Sequence, residues 1–265
     1  MTYWENKVAL VTGGSAGLGR AIVQALASAQ AKVVAVARGR ERLDELSAAA
    51  DGGELLAIAA DVTQQADVDG IVQQTVDRFG RLDLLINCAG RSTRAGILET
   101  TPEDLQDLWE INMLAAVRMT RACVPYLLES GGHVVNVGSL ASKTAGSFLG
   151  AYPATKHAVA AYTQQLRLEL RPRGLHVLLV CPGPIARADA GPRYGRRGDV
   201  PAGAHRPGGG ARVRALDPAR LAGDILQACE KRRAELIRPR KARLLFVAAA
   251  VSPRIGDWLL RRFTK

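Results

Sequence analysis

The chain lacks the features that mark secreted, disulfide-bonded or membrane-spanning proteins. Its four cysteines, Cys88, Cys123, Cys181 and Cys229, are widely spaced and include no CxxC pair, so reduced thiols in a cytoplasmic protein are the simplest interpretation. No uncharged run exceeds 13 residues, the length of 174–186, whereas a membrane-spanning helix needs roughly 17–25. The first residues contain no apolar segment after a basic end, which argues against a secretory signal peptide. No His or Cys pair has metal-ligand spacing, so no metal is expected in the chemistry.

Acidic residues are in the minority, and the net charge is +11. Residues 187–214 carry seven Arg against two Asp, and residues 231–265 carry 11 Lys or Arg against two acidic residues. The rest of the chain is slightly acidic, with a balance of −3. A basic total can indicate nucleic acid or a membrane surface. Because the excess lies in two segments, no nucleic-acid partner is expected, while an anionic partner and a solvated surface both remain open.

Apolar runs and helix-like stretches alternate along the chain. The apolar runs are rich in Val, Ile and Leu without in/out alternation, as in strands that helices cover on both faces. The expected strands are Lys7–Thr12, Lys32–Ala37, Leu55–Ala60, Leu82–Asn87, His133–Val137, Leu175–Val180 and a short Leu236–Ile237. The expected helices are Gly19–Gln30, Arg40–Ala50, Ala66–Phe79, Pro102–Glu129, Pro153–Leu170 and Asp217–Cys229. This order predicts one α/β domain over residues 1–265, a doubly wound Rossmann domain with a mostly parallel seven-stranded sheet flanked by helices.

Two segments depart from this alternation. Residues 186–214 are rich in Gly and Arg with few apolar residues, which predicts a flexible substrate loop. Residues 238–265 form a basic and apolar C-terminal extension, in which Ser252 and Pro253 are expected to interrupt any helix. Packing of this extension on the core or on a subunit partner is the favoured expectation, and peripheral contact with a membrane is the less favoured alternative.

A glycine-rich turn, Gly13, Gly17 and Gly19, separates the first strand from the first helix. Glycines let a pyrophosphate approach the helix N-terminus, where free N–H groups and the helix dipole favour an anion. The same stretch fits the G-x-S-x-G elbow of α/β hydrolases, with Ser15 as nucleophile. An elbow usually follows several strands rather than the first, and no acid-then-His pair stands out downstream. A nucleotide site is therefore the favoured prediction.

Arg38 ends the second strand, about 20 residues past the glycines, where an acidic residue would select NAD. An arginine can pair with a 2′-phosphate in a bidentate manner. The sequence therefore favours NADP, with NAD as the alternative cofactor and a solvated arginine as the alternative role.

Tyr152 and Lys156 are four residues apart, which places them on one face of a helix. A neighbouring ammonium lowers the pKa of a phenol because it stabilises the phenolate. The pair therefore predicts a general acid, Tyr152, that is tuned by Lys156. A Tyr-x-x-x-Lys spacing alone is common and is usually a surface pair.

With these motifs in order, the chain resembles the short-chain dehydrogenase/reductase family, well over about residues 5–186 and loosely beyond. Further matches to the family are Asp61-Val62 after the third strand, Asn87-Cys88-Ala89-Gly90, Asn112, Ser139 and Pro182-Gly183-Pro184-Ile185. The resemblance implies that the cofactor is bound by Gly13, Ser15, Gly17, Leu18, Gly19, Arg38, Asp61, Val62, Asn87, Ala89, Gly90, Tyr152, Lys156, Pro182, Gly183 and Ile185.

The catalytic residues that the resemblance implies are Ser139, Tyr152, Lys156 and Asn112. Tyr152 would exchange a proton with the substrate oxygen, and Ser139 would stabilise the charge that develops there. Lys156 would also bind the nicotinamide ribose, and Asn112 would hold a water that links Lys156 to solvent.

The chain departs from the family pattern at Ala16, where many NADP-using members have a basic residue, and at Arg187, where a Thr is common. The implied function is interconversion of a carbonyl and a secondary alcohol by hydride transfer. Reduction of 3-oxoacyl thioesters, reduction of lipid-like or steroid-like ketones, and non-catalytic sensing of NADP are the alternatives. A small-molecule substrate and a homodimer or homotetramer are expected.

Overall fold

The computed structural model describes residues 2–49, 53–187, 195–196, 200–201, 204 and 213–263. In this part of the chain seven parallel strands form one sheet. The strands are β1 (Val8–Thr12), β2 (Lys32–Ala37), β3 (Leu55–Ala59), β4 (Leu84–Asn87), β5 (His133–Val137), β6 (His176–Pro182) and β7 (Glu235–Arg238). Their spatial order is β3-β2-β1-β4-β5-β6-β7. The predicted α/β fold with a seven-stranded sheet is therefore confirmed.

The helices flank this sheet, and one predicted helix is divided. They are α1 (Gly17–Ser28), α2 (Arg40–Ala48), α3 (Gln65–Phe79), α4 (Pro102–Trp109), α5 (Ala115–Glu129), α6 (Tyr152–Leu170), α7 (Pro218–Glu230), α8 (Ala242–Val251) and α9 (Pro253–Phe263). The long helix predicted over Pro102–Glu129 is interrupted by a π-helical turn, Glu110–Leu114. Most of the substrate loop predicted over residues 186–214 lies outside the described residues.

Alternate residues of the strands feed two apolar layers. In β1, Ala9 and Val11 pack in the layer shared with α1 and α7, whereas Val8 and Leu10 pack in the layer shared with α3 and α5. All four side chains are fully buried. Each buried Val or Leu contributes roughly 1.5–3 kcal/mol, so continuous apolar strands are favoured only where helices cover both faces of the sheet.

The strand order determines where a ligand-binding crevice lies in this fold. The chain runs from β1 outward to β2 and β3, and then returns to place β4 on the other side of β1. In an open parallel sheet, the crevice at such a reversal, outside the carboxyl ends of the strands, is where ligands bind. The glycine turn follows β1 and residues 88–90 follow β4, so both predicted motifs border this crevice.

The C-terminal extension forms two short helices, α8 and α9, that pack on each other. Ser252, between them, has extended backbone angles (φ −147°, ψ 114°), so the helix breaks where the sequence predicts. None of the described helices combines the length and the apolar character that crossing a bilayer requires.

Candidate active site

Thr12, the last residue of β1, ties the glycine turn to the loop after β4. Its hydroxyl oxygen accepts hydrogen bonds from the N–H groups of Cys88 (3.0 Å) and Ala89 (3.1 Å) and donates to the carbonyl of Ile86 (3.3 Å). Gly13 has a φ of +67°, and a Cβ there would lie 3.0 Å from Ala89 Cα. Only glycine suits that conformation and that space. The turn and the loop therefore form one wall of the crevice.

Helix α1 begins at a surface suited to an anion. Ala16, which precedes the helix, has no side chain that caps it, and the first turn contains no acidic residue. A Cβ at Gly17 would overlap the guanidinium of Arg187, and a Cβ at Gly19 would overlap the carbonyl oxygen of Gly13. Backbone N–H groups, the positive end of the helix dipole and an arginine thus converge on a glycine-lined surface, which suits a diphosphate.

Arg38, directly after β2, lies beside the turn that follows β3. Its Nη1 atom is 3.9 Å from Asp61 Oδ2, and its side chain is 79% exposed. Asp61 accepts hydrogen bonds from the N–H (3.0 Å) and the hydroxyl (2.8 Å) of Thr63. Burial raises the pKa of Asp61, but these hydrogen bonds and the charge of Arg38 together hold it below its ordinary value. The predicted adenosine end of the site therefore carries a charged pair whose arginine faces solvent.

Asn112 is buried in the π-helical turn and joins two parts of the site. Its Oδ1 accepts from the N–H of Arg91 (2.9 Å), and its Nδ2 donates to the carbonyl of Arg91 (3.0 Å) and to Thr155 Oγ1 (3.1 Å). A Cβ at Gly90 would come within 2.8 Å of Asn112 Oδ1 and 3.7 Å of Lys156 Nζ. Asn112 thus fastens the loop after β4 to α6, and π-helical turns are frequent at functional sites. The water link from Asn112 to Lys156 stays a prediction.

Tyr152 and Lys156 lie in the first two turns of α6. Lys156 Nζ is 5.8 Å from the centroid of the Tyr152 ring and donates to the carbonyl of Val137 at 2.9 Å. Lys156 is only 6% exposed. Burial lowers its pKa to about 8, although nearby Cys88 and Cys181 act in the opposite direction. The predicted pairing of phenol and amine is thus present at the carboxyl edge of the sheet.

Ser139 follows β5 and begins a single 3-10 turn, Leu140–Ser142. Its N–H donates to Ser142 Oγ and its Oγ accepts from the N–H of Ala141, both at 3.1 Å. Because the Oγ acts as an acceptor here, its hydroxyl hydrogen can be donated to another group. Helix α6 packs against this turn. The structure therefore brings the elements that carry Ser139 and Tyr152 together.

Leu18, Val62 and Asn87 were predicted to bind the cofactor, but their buried side chains are engaged inside the fold. Leu18 and Val62 belong to the two apolar layers, so any contact with a cofactor is left to their backbone. Asn87 donates to Thr120 Oγ1 (3.1 Å) and to Asn136 Oδ1 (2.8 Å), and it thereby links neighbouring elements inside the fold.

The predicted segment after β6 is held by backbone hydrogen bonds. Gly183 N–H donates to the carbonyl of Arg238 (2.7 Å), while Leu216 N–H donates to the carbonyl of Pro184 (2.7 Å). Ile185 pairs with Leu216 in an isolated bridge. Pro182 ends β6, so this segment leaves the sheet at the same carboxyl edge as the glycine turn.

Ser15, the nucleophile of the hydrolase interpretation, is half-buried in the glycine turn. A hydrolase needs an imidazole beside this serine. His133 and His176 begin β5 and β6, at the opposite edge of the sheet, and the exposed His157 has Nδ1 2.9 Å from the carbonyl of Pro153. His205 lies outside the described residues. The arrangement of the described histidines does not support hydrolysis.

Two contributors to the site were not among the predicted residues. Thr155 donates to the carbonyl of Tyr152 (2.8 Å) and accepts from Asn112, and its place inside the Tyr-x-x-x-Lys stretch is a signal that sequence reasoning could have used. Arg187 stood out in the sequence only as a departure from the family pattern. Its position against Gly17 depends on how the chain leaves β6, which the sequence does not reveal.

A chain of hydrogen bonds through the buried His133 and His176 was also not predicted; it lies at the amino edge of the sheet, where the strands begin. Tyr3 Oη is 2.8 Å from His133 Nε2, the two Nδ1 atoms of His133 and His176 are 2.8 Å apart, and His176 Nε2 is 2.8 Å from the carbonyl of Arg233. A carbonyl only accepts, so with both imidazoles neutral His176 carries its proton on Nε2 and His133 on Nδ1. Burial, assisted by His176, lowers the pKa of His133 to about 3, which keeps the ring neutral.

Cys229 completes a buried group with these two histidines, in which the potential metal-ligand atoms lie within 4.8 Å of one another. The three residues come from two strands and α7, so their spacing in the sequence gives no sign of the group. It lies at the amino edge, away from the glycine turn, and the imidazole nitrogens already belong to the hydrogen-bond chain. The absence of a metal from the chemistry stays a prediction.

Comparison with known proteins agrees with this arrangement. The family profile described as short chain dehydrogenase matches residues 7–194. The ketoacyl reductase HetN of Nostoc sp. is 37% identical over 190 residues, which are 71% of this chain and 66% of HetN. A short-chain dehydrogenase structure from Streptomyces avermitilis is 33% identical, with full coverage of both chains and a TM-score of 0.80. A short-chain dehydrogenase/reductase from Burkholderia phymatum in complex with NAD is 25% identical, with 96% of each chain covered and a TM-score of 0.82.

The matched residues include the glycine turn, Asn112, Ser139, Tyr152 and Lys156. The sheet order, the glycine-lined crevice and these matches agree with one another. The chain therefore belongs to the short-chain dehydrogenase/reductase family and is an NAD(P)-dependent oxidoreductase.

Proposed function

We propose that this oxidoreductase reduces a carbonyl group of a small molecule to a secondary alcohol, with NADPH preferred over NADH, and catalyses the reverse reaction with the same residues. The observation that carries the proposal is that Lys156, Tyr152 and the turn that Ser139 begins lie at the same edge of the sheet as the glycine-lined start of α1, with the loop after β4 between them. A buried amine, a phenol and a hydroxyl donor next to an anion cradle suit hydride transfer coupled to proton transfer.

The residues around the glycine turn suit a dinucleotide. Backbone N–H groups at the start of α1, together with Arg187, would hold the diphosphate, and Arg38 would hold the 2′-phosphate. Lys156 would bind the ribose next to the nicotinamide. When bound, the nicotinamide supplies or accepts the hydride. The arginine in place of an acidic residue after β2 favours NADP in this chain.

The proton and the developing charge are handled by the chain's own side chains. Tyr152 donates its hydroxyl proton to the substrate oxygen as negative charge develops there, and Ser139 donates a hydrogen bond to the same oxygen. Charged Lys156, buried close to the ring, stabilises the phenolate that Tyr152 becomes. Asn112 is a positioning residue, because it holds the loop after β4 against α6 without contacting the reacting atoms.

A substrate panel with both cofactors tests this function. The purified protein is mixed with NADPH or NADH and a series of ketones, aldehydes and 3-oxoacyl thioesters, and the absorbance of the reduced nicotinamide is followed. We expect substrate-dependent oxidation that is faster with NADPH. The thioesters belong in the panel because the chain is similar to a ketoacyl reductase. Calorimetric titration with both dinucleotides accompanies the panel.

Each outcome of the panel is informative. Saturable binding of a dinucleotide without turnover of any substrate would favour a sensor over an enzyme. The absence of saturable binding of either dinucleotide would overturn the assignment of the crevice. Light scattering of the same sample tests the homodimer or homotetramer, which we also propose.

A further inference from the structure

The C-terminal hairpin, α8 with α9, is attached to the fold through a small contact. Ala242 and Phe246 pack on a buried cluster that includes Leu179 and Ile237, and none of the residues of α8 is fully buried. Helix α9 packs on α8, where a Cβ at Gly256 would lie 2.7 Å from Ala249 Cβ. The hairpin therefore leaves much of its surface outside the core.

Five large apolar side chains of the hairpin are exposed, and together we call them the apolar ridge. They are Leu244 (76%), Val247 (62%), Val251 (79%), Ile255 (51%) and Trp258 (60%). The three residues of α8 recur at intervals of three and four, so they lie along one side of that helix. Ile255 and Trp258 are three residues apart and are likewise neighbours on α9.

Exposure of this degree is uncommon in the rest of the described chain. Among the other described large apolar residues, Ile97, Leu98 and Leu168 are more than half exposed. A few exposed apolar side chains are ordinary in a folded protein. Five of the eight described large apolar side chains that are more than half exposed lie within residues 244–258, three on α8 and two on α9, and such a concentration is typical of a contact surface.

The same hairpin is strongly basic. Over the described residues 239–263 the single acidic residue is Asp257, so the balance of side-chain charge is +5. The basic residues are all exposed: Arg240, Lys241, Arg243, Arg254, Arg261 and Arg262. Arg262 lies over the Trp258 ring, with its Cζ 5.8 Å from the ring centroid. Positive charge therefore borders the apolar ridge at Trp258.

We propose that the hairpin docks this protein on the surface of an anionic phospholipid bilayer. The acyl boundary takes up the apolar ridge, while lipid phosphates pair with the bordering Lys and Arg side chains. A nucleic acid would use the charge and leave the ridge in water. A second copy of the chain meeting this hairpin with its own would bring two like charges of +5 together.

The hairpin lies along the bilayer surface rather than across it. Helix α8 has 10 residues and α9 has 11, so each is about 15 Å long at 1.5 Å per residue. The hydrocarbon core is about 30 Å thick. Basic residues near both ends of the hairpin also hold it at the level of the headgroups.

Co-sedimentation with vesicles tests the proposal on the full chain without any measurement of activity. One set of vesicles contains phosphatidylcholine alone, and the other contains phosphatidylglycerol and phosphatidylcholine in equal parts. We expect binding to the anionic set, much weaker binding to the neutral set, and a loss of binding as salt is added. The tryptophan fluorescence of the protein should shift to shorter wavelength on binding, because the Trp258 indole leaves water, and the variant without Trp258 should not show this shift.

Two pairs of variants separate the apolar and the charged parts of the surface. The double substitution Val247→Ser with Trp258→Ser should weaken binding to anionic vesicles at least about 10-fold. The matched control is Ile97→Ser with Leu98→Ser, which should leave vesicle binding unchanged. Arg261→Glu with Arg262→Glu should weaken binding to anionic vesicles by about 10-fold or more, with Arg40→Glu and Arg42→Glu as control. All the substituted side chains are exposed, so the fold is retained.

The remaining outcomes would overturn the proposal. Equal binding to both vesicle sets would show that the positive charge of the hairpin does not cause the binding. An equal loss of vesicle binding in the ridge variant and in its control would show the same for the apolar ridge. If no vesicles are bound and light scattering shows an oligomer that the ridge variant dissociates, the ridge belongs to a second copy of the chain. None of these results bears on the proposed reduction, which the substrate panel tests separately.

Discussion

The polar side chains differ in their hydrogen bonding between the amino edge of the central sheet, where the strands begin, and the carboxyl edge, where they end. At the amino edge, Tyr3, His133 and His176 form a chain of hydrogen bonds that ends on a backbone carbonyl. At the carboxyl edge, the bonds of the described residues leave donors available. Lys156 has three N–H donors and gives one to Val137, and Ser139 accepts through its hydroxyl oxygen while its hydrogen can be donated elsewhere.

The difference shows that burial and a shifted pKa do not by themselves mark a reaction site. Both edges contain such groups, since burial lowers the pKa of His133 to about 3 and that of Lys156 to about 8. A closed chain of hydrogen bonds fixes its protons and contributes to stability. Donors that retain capacity beside a glycine-lined cradle are available to a ligand. Substitutions at each edge should therefore distinguish a structural role from a reactive one.

The largest effect is expected from Tyr152→Phe at the carboxyl edge. Loss of the general acid should lower kcat about 10²–10⁴-fold, while the Kd for NADPH stays within about twofold because the ring is retained. Steady-state assays measure kcat, and calorimetric titration measures the Kd for NADPH. The control is Tyr162→Phe, on the same helix, whose hydroxyl bonds Thr120 and which should keep kcat. Full turnover by Tyr152→Phe would contradict the assigned proton donor.

The amino edge should respond to pH through stability instead. His133 has a folded pKa of about 3 against 6.5 in the unfolded chain, so below pH 6.5 the unfolded state binds more protons and stability falls as pH falls. Through His133 alone, the free energy of unfolding should drop by about 2 kcal/mol between pH 7 and pH 5. Urea unfolding at several pH values measures it.

Two histidine variants sharpen that measurement. His133→Gln should lose most of this pH dependence, whereas the exposed His157→Gln should keep it. Identical slopes in the two variants would show that the acid sensitivity originates elsewhere, in carboxyl groups for example.

Arg38→Asp should change the choice of cofactor by a smaller factor. Loss of a charge-assisted hydrogen bond to the 2′-phosphate should lower the ratio of kcat/KM for NADPH over NADH about 10–100-fold. Arg42→Asp, on the exposed side of α2, is the control and should leave the ratio near its original value. If both variants keep the NADPH-over-NADH ratio of the unmodified enzyme, Arg38 does not take part in cofactor recognition.

The smallest expected effect is on the diphosphate end of the cradle. Arg187→Thr should raise the Kd for NADPH and for ADP roughly 3–10-fold, because one charge near the start of α1 is removed. Binding of adenosine 2′-phosphate, which lacks the diphosphate, should be unaffected. Arg220→Thr at the exposed start of α7 serves as the comparison. Equal weakening of all three ligands would indicate a general structural effect rather than a diphosphate contact.

Local patterns made much of the fold predictable from the sequence. Continuous apolar runs predict strands because both faces of a parallel sheet are covered, and β1 (Val8–Thr12) differs by one residue from the expected Lys7–Thr12. The glycine turn and the Tyr152–Lys156 spacing are also local, since each depends on residues within one turn and one helix. Such features can be recognised in the sequence without knowledge of the tertiary contacts.

Features that depend on distant contacts were not predictable. The π-helical turn carries Asn112, whose partners are 21 and 43 residues away, and nothing in its own segment distinguishes it from a regular helix. His133 and His176 meet because β5 and β6 pair in register. The exposure of the apolar ridge likewise depends on which side chains of α8 pack on the core, where Ala242 and Phe246 do so. The expectation that the tail packs on the core or on a subunit partner is met in part by these two contacts, and the subunit partner stays a prediction.

The small cluster beneath the hairpin has a mechanical consequence. Phe246 of α8 and Leu140, the residue after Ser139, both pack on that cluster. The base of the hairpin and the turn that Ser139 begins therefore rest on the same buried cluster. A substitution that enlarges or removes a side chain of this cluster should therefore disturb both the seating of α8 and the position of that turn.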